Sequence, residues 1–498
     1  MKTLQKNSSI ILPTLLCLIL VLGSCKKDFL ERKPLGEELS EDFFKTESGA
    51  IRATNAVYNQ LREFNTHTFP YIGIANISSD DADKGSDPGD APPQGELDNF
   101  TVTAGNGLLN GFWIGHYQGI ARANQVIERV PAIEMSDSLK NRLVAEARFL
   151  RAYFYFNLVR TFGRVPLITN IPTASQSEVV PQSTADEVYQ FIIDEFNAVI
   201  PVLPEKSQYP SADLGRVTKG AAKGMLAKVY MYRKNWPEVL RLTDEIISSG
   251  EYDLSTPFAQ IFTRQGELGR ESLFEVVNGI LPQCGGGSQY AEVQMVRASS
   301  GGLGWGFNTP SQNLINSYEP NDPRMQATIM FRGETMVDGY TVPTDASNPQ
   351  YNQKAYPEGT EKNPTCGIGD SGKNILILRY ADIILMNAEA ANESSQPDKA
   401  VRDINMIRER ARRTAAAGVL PDVSYTDPVS FRQIIWRERR AELAMENDRF
   451  WDLVRQGRAG TVLRAAGKNF VDGKNEIMPI PQAQIDISGG VLTQNPNY

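Results

Sequence analysis

Apolar residues recur at intervals of three and four along much of this chain, and that spacing sets the first expectation of its fold. Leu143, Ala147, Leu150, Phe154 and Leu158 fall on one helical face. The helix they predict stops at Gly163, with Pro166 just beyond. The same period predicts helices over 186–200, 219–233, 237–248, 375–392, 397–413 and 431–456, and also over 51–63 and 109–130. Short helices joined by brief turns imply stacked hairpins. Leu226, Ala227 and Tyr230, followed by Trp236 and Val239, fall near the offsets of a tetratricopeptide unit of about 34 residues, although later consensus positions are poorly met. Such units bury their faces only by stacking, so several degenerate copies are expected.

Two long stretches break the period. The first, 66–107, carries Asp80, Asp81, Asp83, Asp87 and Asp90 among prolines and glycines. The second, 251–373, is glycine-rich with scattered aromatics, and a short strand is expected at 273–277. Segments of that length without a regular pattern are uncommon in compact proteins and tend to carry function. The predicted fold is therefore mostly α: tetratricopeptide-like stacked helical hairpins with long irregular loop insertions and a few short strands. Residues 48–65, 108–250 and 374–457 form the scaffold, and 458–498 a C-terminal segment.

The N-terminus follows a different pattern. Lys2 and Lys6 precede a mostly apolar run from Ile10 to Leu22, and small residues then lead into Cys25. Those are the parts of a secretory signal, and Leu22-Gly-Ser-Cys25 resembles a bacterial lipoprotein processing box. The expectation is cleavage after residue 24 and lipid attachment, including a palmitate-type acyl chain, at Cys25. More than one chain makes such an anchor stable. Residues 25–47 then serve as tether to a single domain, 25–498.

Composition narrows the function. The chain has 498 residues, with 51 basic against 59 acidic, and loss of residues 1–24 removes two of the lysines. Phosphate binding needs a basic face, so nucleic acid is excluded as a partner. The only histidines are His67 and His116, and no cysteine pair has zinc spacing. Cys284 and Cys366 are either bridged or two free thiols.

Several segments together resemble one family, the SusD/RagB-like outer-membrane nutrient-binding lipoproteins of Bacteroidota. They are Cys25-Lys-Lys-Asp-Phe-Leu, Ala145-Glu-Ala-Arg-Phe-Leu-Arg-Ala, Gly163-Arg-Val-Pro-Leu and Arg216-Val-Thr-Lys. Arg379-Tyr-Ala-Asp-Ile-Ile-Leu-Met-Asn-Ala-Glu-Ala, Ile404-Asn-Met-Ile-Arg-Glu-Arg-Ala, Glu438-Arg-Arg-Ala-Glu-Leu-Ala-Met-Glu and Arg449-Phe-Trp-Asp-Leu-Val-Arg follow, and then Met478-Pro-Ile-Pro and Gln494-Asn-Pro-Asn-Tyr498. The resemblance implies a cell-surface lipoprotein of the outer membrane that binds a nutrient, usually an oligosaccharide. It also implies delivery to a SusC-like TonB-dependent β-barrel transporter, and it implies no cofactor and no enzymatic activity. The ligand could instead be a peptide. The matched motifs belong to the scaffold and carry no ligand residue across.

Candidate ligand residues are therefore chosen by chemistry. A flat aromatic ring suits the C–H face of a sugar, with polar groups taking the hydroxyls. Trp305, between Gly304 and Gly306, is the leading platform, with Tyr290 and Phe307 in the same insertion and Asp81, Arg297 and Asn308 as orienting groups. Asp81, Asp83 and Asp87 alternate as calcium ligands can, but the pattern departs from an EF-hand loop. Glu438, Glu442 and Asp452 invite a hydrolase reading. Neighbouring Arg439, Arg440, Arg449 and Arg455 favour ion-paired packing instead. Two other readings stand beside nutrient binding: a tetratricopeptide-like interaction scaffold without its own glycan site, and a surface glycan hydrolase.

Overall fold

The computed structural model of the chain describes residues 43–172 and 179–498, so the signal segment, Cys25 and most of the tether lie outside the described residues. Eleven helices matter here: α1 (Glu47–Arg62), α2 (Gly107–Arg129), α3 (Asp137–Phe162), α4 (Ala185–Val199), α5 (Lys219–Tyr232), α6 (Trp236–Ser248), the short α7 (Tyr290–Gln294), α8 (Tyr380–Glu393), α9 (Pro397–Arg412), α10 (Pro428–Leu443) and α11 (Arg449–Arg455). Contacts run α1–α2–α3–α4 and α5–α6–α8–α9, with α10 against α8. Stacked antiparallel hairpins are the architecture the periodicity predicted. In the α5–α6 pair Leu226, Ala227 and Val239 are buried, and Tyr230 and Trp236 half-buried.

Helix α3 lies at the centre. From Ala145 to Phe162 every residue except Arg148 is buried, so its apolar stripe continues around the helix. Each Leu or Phe so placed stabilises the fold by roughly 1.5–3 kcal/mol. The charges on this helix are all answered, since a buried charge is costly unless paired. Glu146 meets Arg216 at 2.8 Å, Arg151 meets Glu195 at 2.7 Å and Arg160 meets Asp448 at 2.8 Å. The C-terminal segment docks on the end of the same helix: Met478 N donates to Thr161 O, and Asn495 Nδ2 to Phe162 O.

Among the described residues eight short strands form four antiparallel pairs. They are β1 (Ala82–Gly85), β2 (Val165–Pro166), β3 (Gln182–Ser183), β4 (Ser272–Val276), β5 (Phe307–Pro310), β6 (Ile329–Phe331), β7 (Gln350–Asn352) and β8 (Ile375–Arg379), paired β1–β5, β2–β3, β4–β8 and β6–β7. Three departures from expectation occur, the first in 66–107, expected as irregular loop, which holds helical turns at Phe69–Ile72 and Gly73–Ile77 and a helix at Pro92–Asn99. Residues 375–379, expected as the start of a helix, form β8 against β4, because an unbroken Ile-Leu-Ile-Leu run satisfies a strand as well as a helix. The helix expected over 431–456 is two, α10 and α11. Met445 (φ +66°) and Asn447 (φ +63°) turn the chain between them. Pair β1–β5 joins the first insertion to the second, with Gly85 opposite Phe307, and so builds the face described next. Cys284 and Cys366 are bonded to each other, with Cα atoms 6.0 Å apart across a sequence separation of 82.

Candidate functional site

The face centres on Trp305. Its backbone is fixed by α7: Trp305 N donates to Glu292 O (2.8 Å) and Gly306 N to Met295 O (2.8 Å). Glycine is required at 304, where a Cβ would lie 2.0 Å from Glu292 O. The indole is half-buried, packed against Phe64 (centroids 6.2 Å) and edge-on to Phe69 (5.7 Å). The ring therefore leans on the scaffold end of α1 while part of it stays accessible. Behind it Phe307 meets Phe69 at 4.9 Å and is 4% exposed, so Phe307 supports the platform and is not itself a contact surface.

A polar rim borders this ring. Arg297, about two-fifths exposed, is bridged to Asp87 (2.8 Å) and Asp90 (2.9 Å). The Ser86 hydroxyl lies 2.7 Å from both Asp90 Oδ2 and the Trp305 carbonyl. That hydroxyl and the Arg297 guanidinium hold the Asp90 carboxyl below its ordinary range. The Lys84 ammonium sits inside the same loop, donating to the carbonyls of Asp87 (2.9 Å), Pro88 (3.3 Å) and Asp90 (2.8 Å). On the far side of the 301–305 loop Tyr340 donates to Gly301 O and stacks on Tyr356 at 6.0 Å. Lys362 bridges Asp338 and the Tyr356 hydroxyl there. Burial pushes the Tyr340 hydroxyl up to about 12, so it donates at any ordinary pH.

Three other residues chosen from the sequence lie inside the molecule. Tyr290 is 6% exposed and its hydroxyl accepts from Asn447 Nδ2 at 2.9 Å. Asn308, at φ +57°, is sealed between Asn76 and Gln294. Asp81 is bound by Arg440 at 2.7 Å. A glycine-rich neighbourhood suggests exposure, but the β1–β5 pair and the α10–α11 turn close over these positions. They brace the face from beneath. Of the six residues proposed for ligand contact, Trp305 and Arg297 reach the accessible surface together. Phe64, Lys84 and Asp90 join them, with buried Ser86 bracing the rim, and none carries a local signal beyond an acidic loop and a helix end.

The calcium reading meets a physical obstacle. Asp81 and Asp87 are each committed to a guanidinium, and the loop carbonyls already surround an ammonium, that of Lys84. Among the described residues the one trio of potential ligands within reach of one ion is Cys284, Cys366 and Asp370, and both of its sulfurs are spent in the disulfide.

The acids of the C-terminal helices are also sealed. Glu442 is fully buried and faces Arg379 (2.6 Å), Arg324 (3.3 Å) and Arg410. Burial would raise its carboxyl, but these three guanidinium groups outweigh that and hold it well below the usual range. Glu438 pairs with Arg324 and Arg408, and Asp452 with Arg439 and Arg455. The sequence pointed to arginines within a turn. That is right for Asp452, while Glu438 and Glu442 are answered by residues from β8, α9 and the second insertion. Acids so held cannot exchange protons with a substrate.

A separate groove of about 950 Å³ lies between α2, residues 166–172 and 179–181, and the C-terminal segment, and takes in Trp113, Tyr117, Pro166, Ile487 and Leu492. Among the described residues none of those lining it is charged, and none belongs to the Trp305 face.

With this geometry in view, comparisons place the chain. Residues 271–498 match the model of the SusD family, and residues 94–231 match that of "Starch-binding associating with outer membrane". The chain belongs to the SusD/RagB-like family. SusD-like protein P2 of Formosa agariphila is 28% identical over 97% of this chain and 99% of its own length. Among solved structures, a laminarin-binding SusD-like protein superposes with a TM-score of 0.78 at 28% identity, covering 91% of this chain and all of that one. Surface glycan-binding protein A from Bacteroides thetaiotaomicron, in complex with laminarihexaose, gives 0.77 at 25% identity, again covering 91% of this chain and all of that one.

Proposed function

We propose that this SusD-like chain is a carbohydrate-binding protein of the outer membrane, held there by lipid on Cys25, which captures an oligosaccharide on the Trp305 face and passes it to a TonB-dependent transporter. The observation that carries this reading is the half-buried indole of Trp305 beside the ion-paired Asp87–Arg297–Asp90 rim. Ring and rim offer the two things a sugar presents partners for: an apolar face, and hydroxyls that both donate and accept. The laminarin-binding and laminarihexaose-bound relatives support a neutral glucan as the first ligand to try.

Titration calorimetry of the mature chain against laminari-, malto- and xylo-oligosaccharides tests it. Saturable binding without release of new reducing ends, lost in Trp305→Ala, is the expected result. Mass spectrometry of residue 25 tests the anchor, and co-purification from solubilised outer membranes tests the transporter. The scaffold reading has in its favour the groove, uncharged among the described residues, with Ile487 77% exposed at its edge. That reading gains if no glycan is retained and substitutions at Ile487 alone weaken partner recovery.

A further inference from the structure

The Cys284–Cys366 bridge lies outside the ring and rim, yet the contacts leading from it end at Trp305. Cys284 sits at φ +63°, in a region disfavoured for a residue with a Cβ. The two hairpins it joins are stitched by one carboxylate: Asp370 accepts from Gly285 N (3.1 Å), Gly287 N (2.7 Å) and Asn363 Nδ2 (2.8 Å). Ser288 and Ser371 exchange backbone hydrogen bonds immediately beyond. From Ser288 the chain enters α7 after a single residue, and Glu292 of α7 is the group whose carbonyl holds Trp305 N.

The second hairpin reaches the same glutamate. A Cβ on Gly369 would meet Glu292 Oε2 at 3.0 Å, so this hairpin packs directly on α7. Four residues before Cys366, Lys362 bonds Asp338 and Tyr356 under the Tyr340 ring. The bridge thus adds a covalent tie between the segment that fixes Trp305 and the segment that fixes Tyr340, which otherwise meet through non-covalent contacts such as the Tyr340 hydroxyl on Gly301 O.

We propose that Cys284 and Cys366 are positioning residues for ligand capture: their bond holds α7, and through it the Trp305 platform, in register with the Tyr340 side of the face. The claim rests on the proposed function for its ligand consequence, but its structural part can be read without ligand. Preorganising a binding surface raises affinity by removing the cost of ordering it.

The test compares the mature chain with its Cys284→Ser/Cys366→Ser form, using hydrogen exchange and laminarihexaose titration. Exchange at 303–306 is expected to rise at least about tenfold, and the Trp305 contribution to emission, taken by difference against Trp305→Phe in each background, to become more readily quenched by acrylamide. Laminarihexaose affinity is expected to fall several-fold. Should the serine form not accumulate, the folded chain is reduced with dithiothreitol. The dithiol closes to its cyclic disulfide, and its two electrons and two protons convert the cystine to two thiols. Faster exchange confined to 281–288 and 363–371, with 303–306 unchanged, overturns the proposal. If the unaltered chain binds no glycan, the proposed function falls, and exchange at 303–306 still decides whether the bridge positions the platform.

Discussion

Two clusters of arginines and carboxylates in this molecule have the same chemistry and opposite settings. Around Glu442, guanidinium groups from three separate elements meet one carboxylate with no access to water. At the Trp305 face, Arg297 meets Asp87 and Asp90 with each side chain about a third to a half exposed. Burial makes the first cluster a structural joint, because removing one partner strands charges that water cannot reach. Exposure leaves the second available, because partners held at the surface contribute little to stability and can be exchanged for a ligand's hydroxyls.

The sharpest way to break this contrast is Glu442→Ala. It leaves Arg379, Arg410 and Arg324 short of a counter-charge, and a loss of about 3–5 kcal/mol is expected from urea midpoints. A loss below about 1 kcal/mol would mean that water reaches this joint after all.

Next in size is the pH dependence of buried His67 and His116. Burial first, and then nearby charges, lower both from 6.5 to about 3. The unfolded chain therefore takes up the proton before the folded one. Each histidine's share of stability is complete above pH 6.5 and is lost as pH falls toward 3. His116→Phe keeps the packing against Phe112 and Phe154. The parent should lose about 1.4 kcal/mol relative to this variant for each pH unit between 6 and 4. Parallel curves would show that His116 is protonated in the fold.

At the exposed cluster the effects move from stability to binding. Trp305→Ala should weaken oligosaccharide binding at least about tenfold, roughly 1.4 kcal/mol, in calorimetry, while the urea midpoint moves little. Arg297→Ala should be the mildest, within about 1 kcal/mol in stability. A larger loss there would erase the distinction between joint and rim.

The same contrast explains what could be read from the chain. Helical hairpins were legible because one face of each repeats at 3.6 residues, and Gly163 and Pro166 punctuate an end. Strand β8 was not, because alternation disappears in a segment buried on both sides. Nor was the α10–α11 break, where Met445 and Asn447 adopt left-handed backbone without a glycine to announce it. In the site, Trp305 stood out by its glycine neighbours. Tyr290 and Asn308 share that neighbourhood, but their burial depends on Asn447 and Asn76, far away in sequence. Likewise Asp81 finds Arg440 across 359 positions, a pairing that no local pattern encodes.

Lys84 has a consequence for where such a protein can work. Its ammonium occupies the carbonyl nest of an acidic turn, where a divalent ion would otherwise compete, so the rim carries its own permanent counter-ion, covalently attached. Such a surface keeps its shape in a medium stripped of calcium and magnesium, and EDTA should leave its sugar affinity untouched.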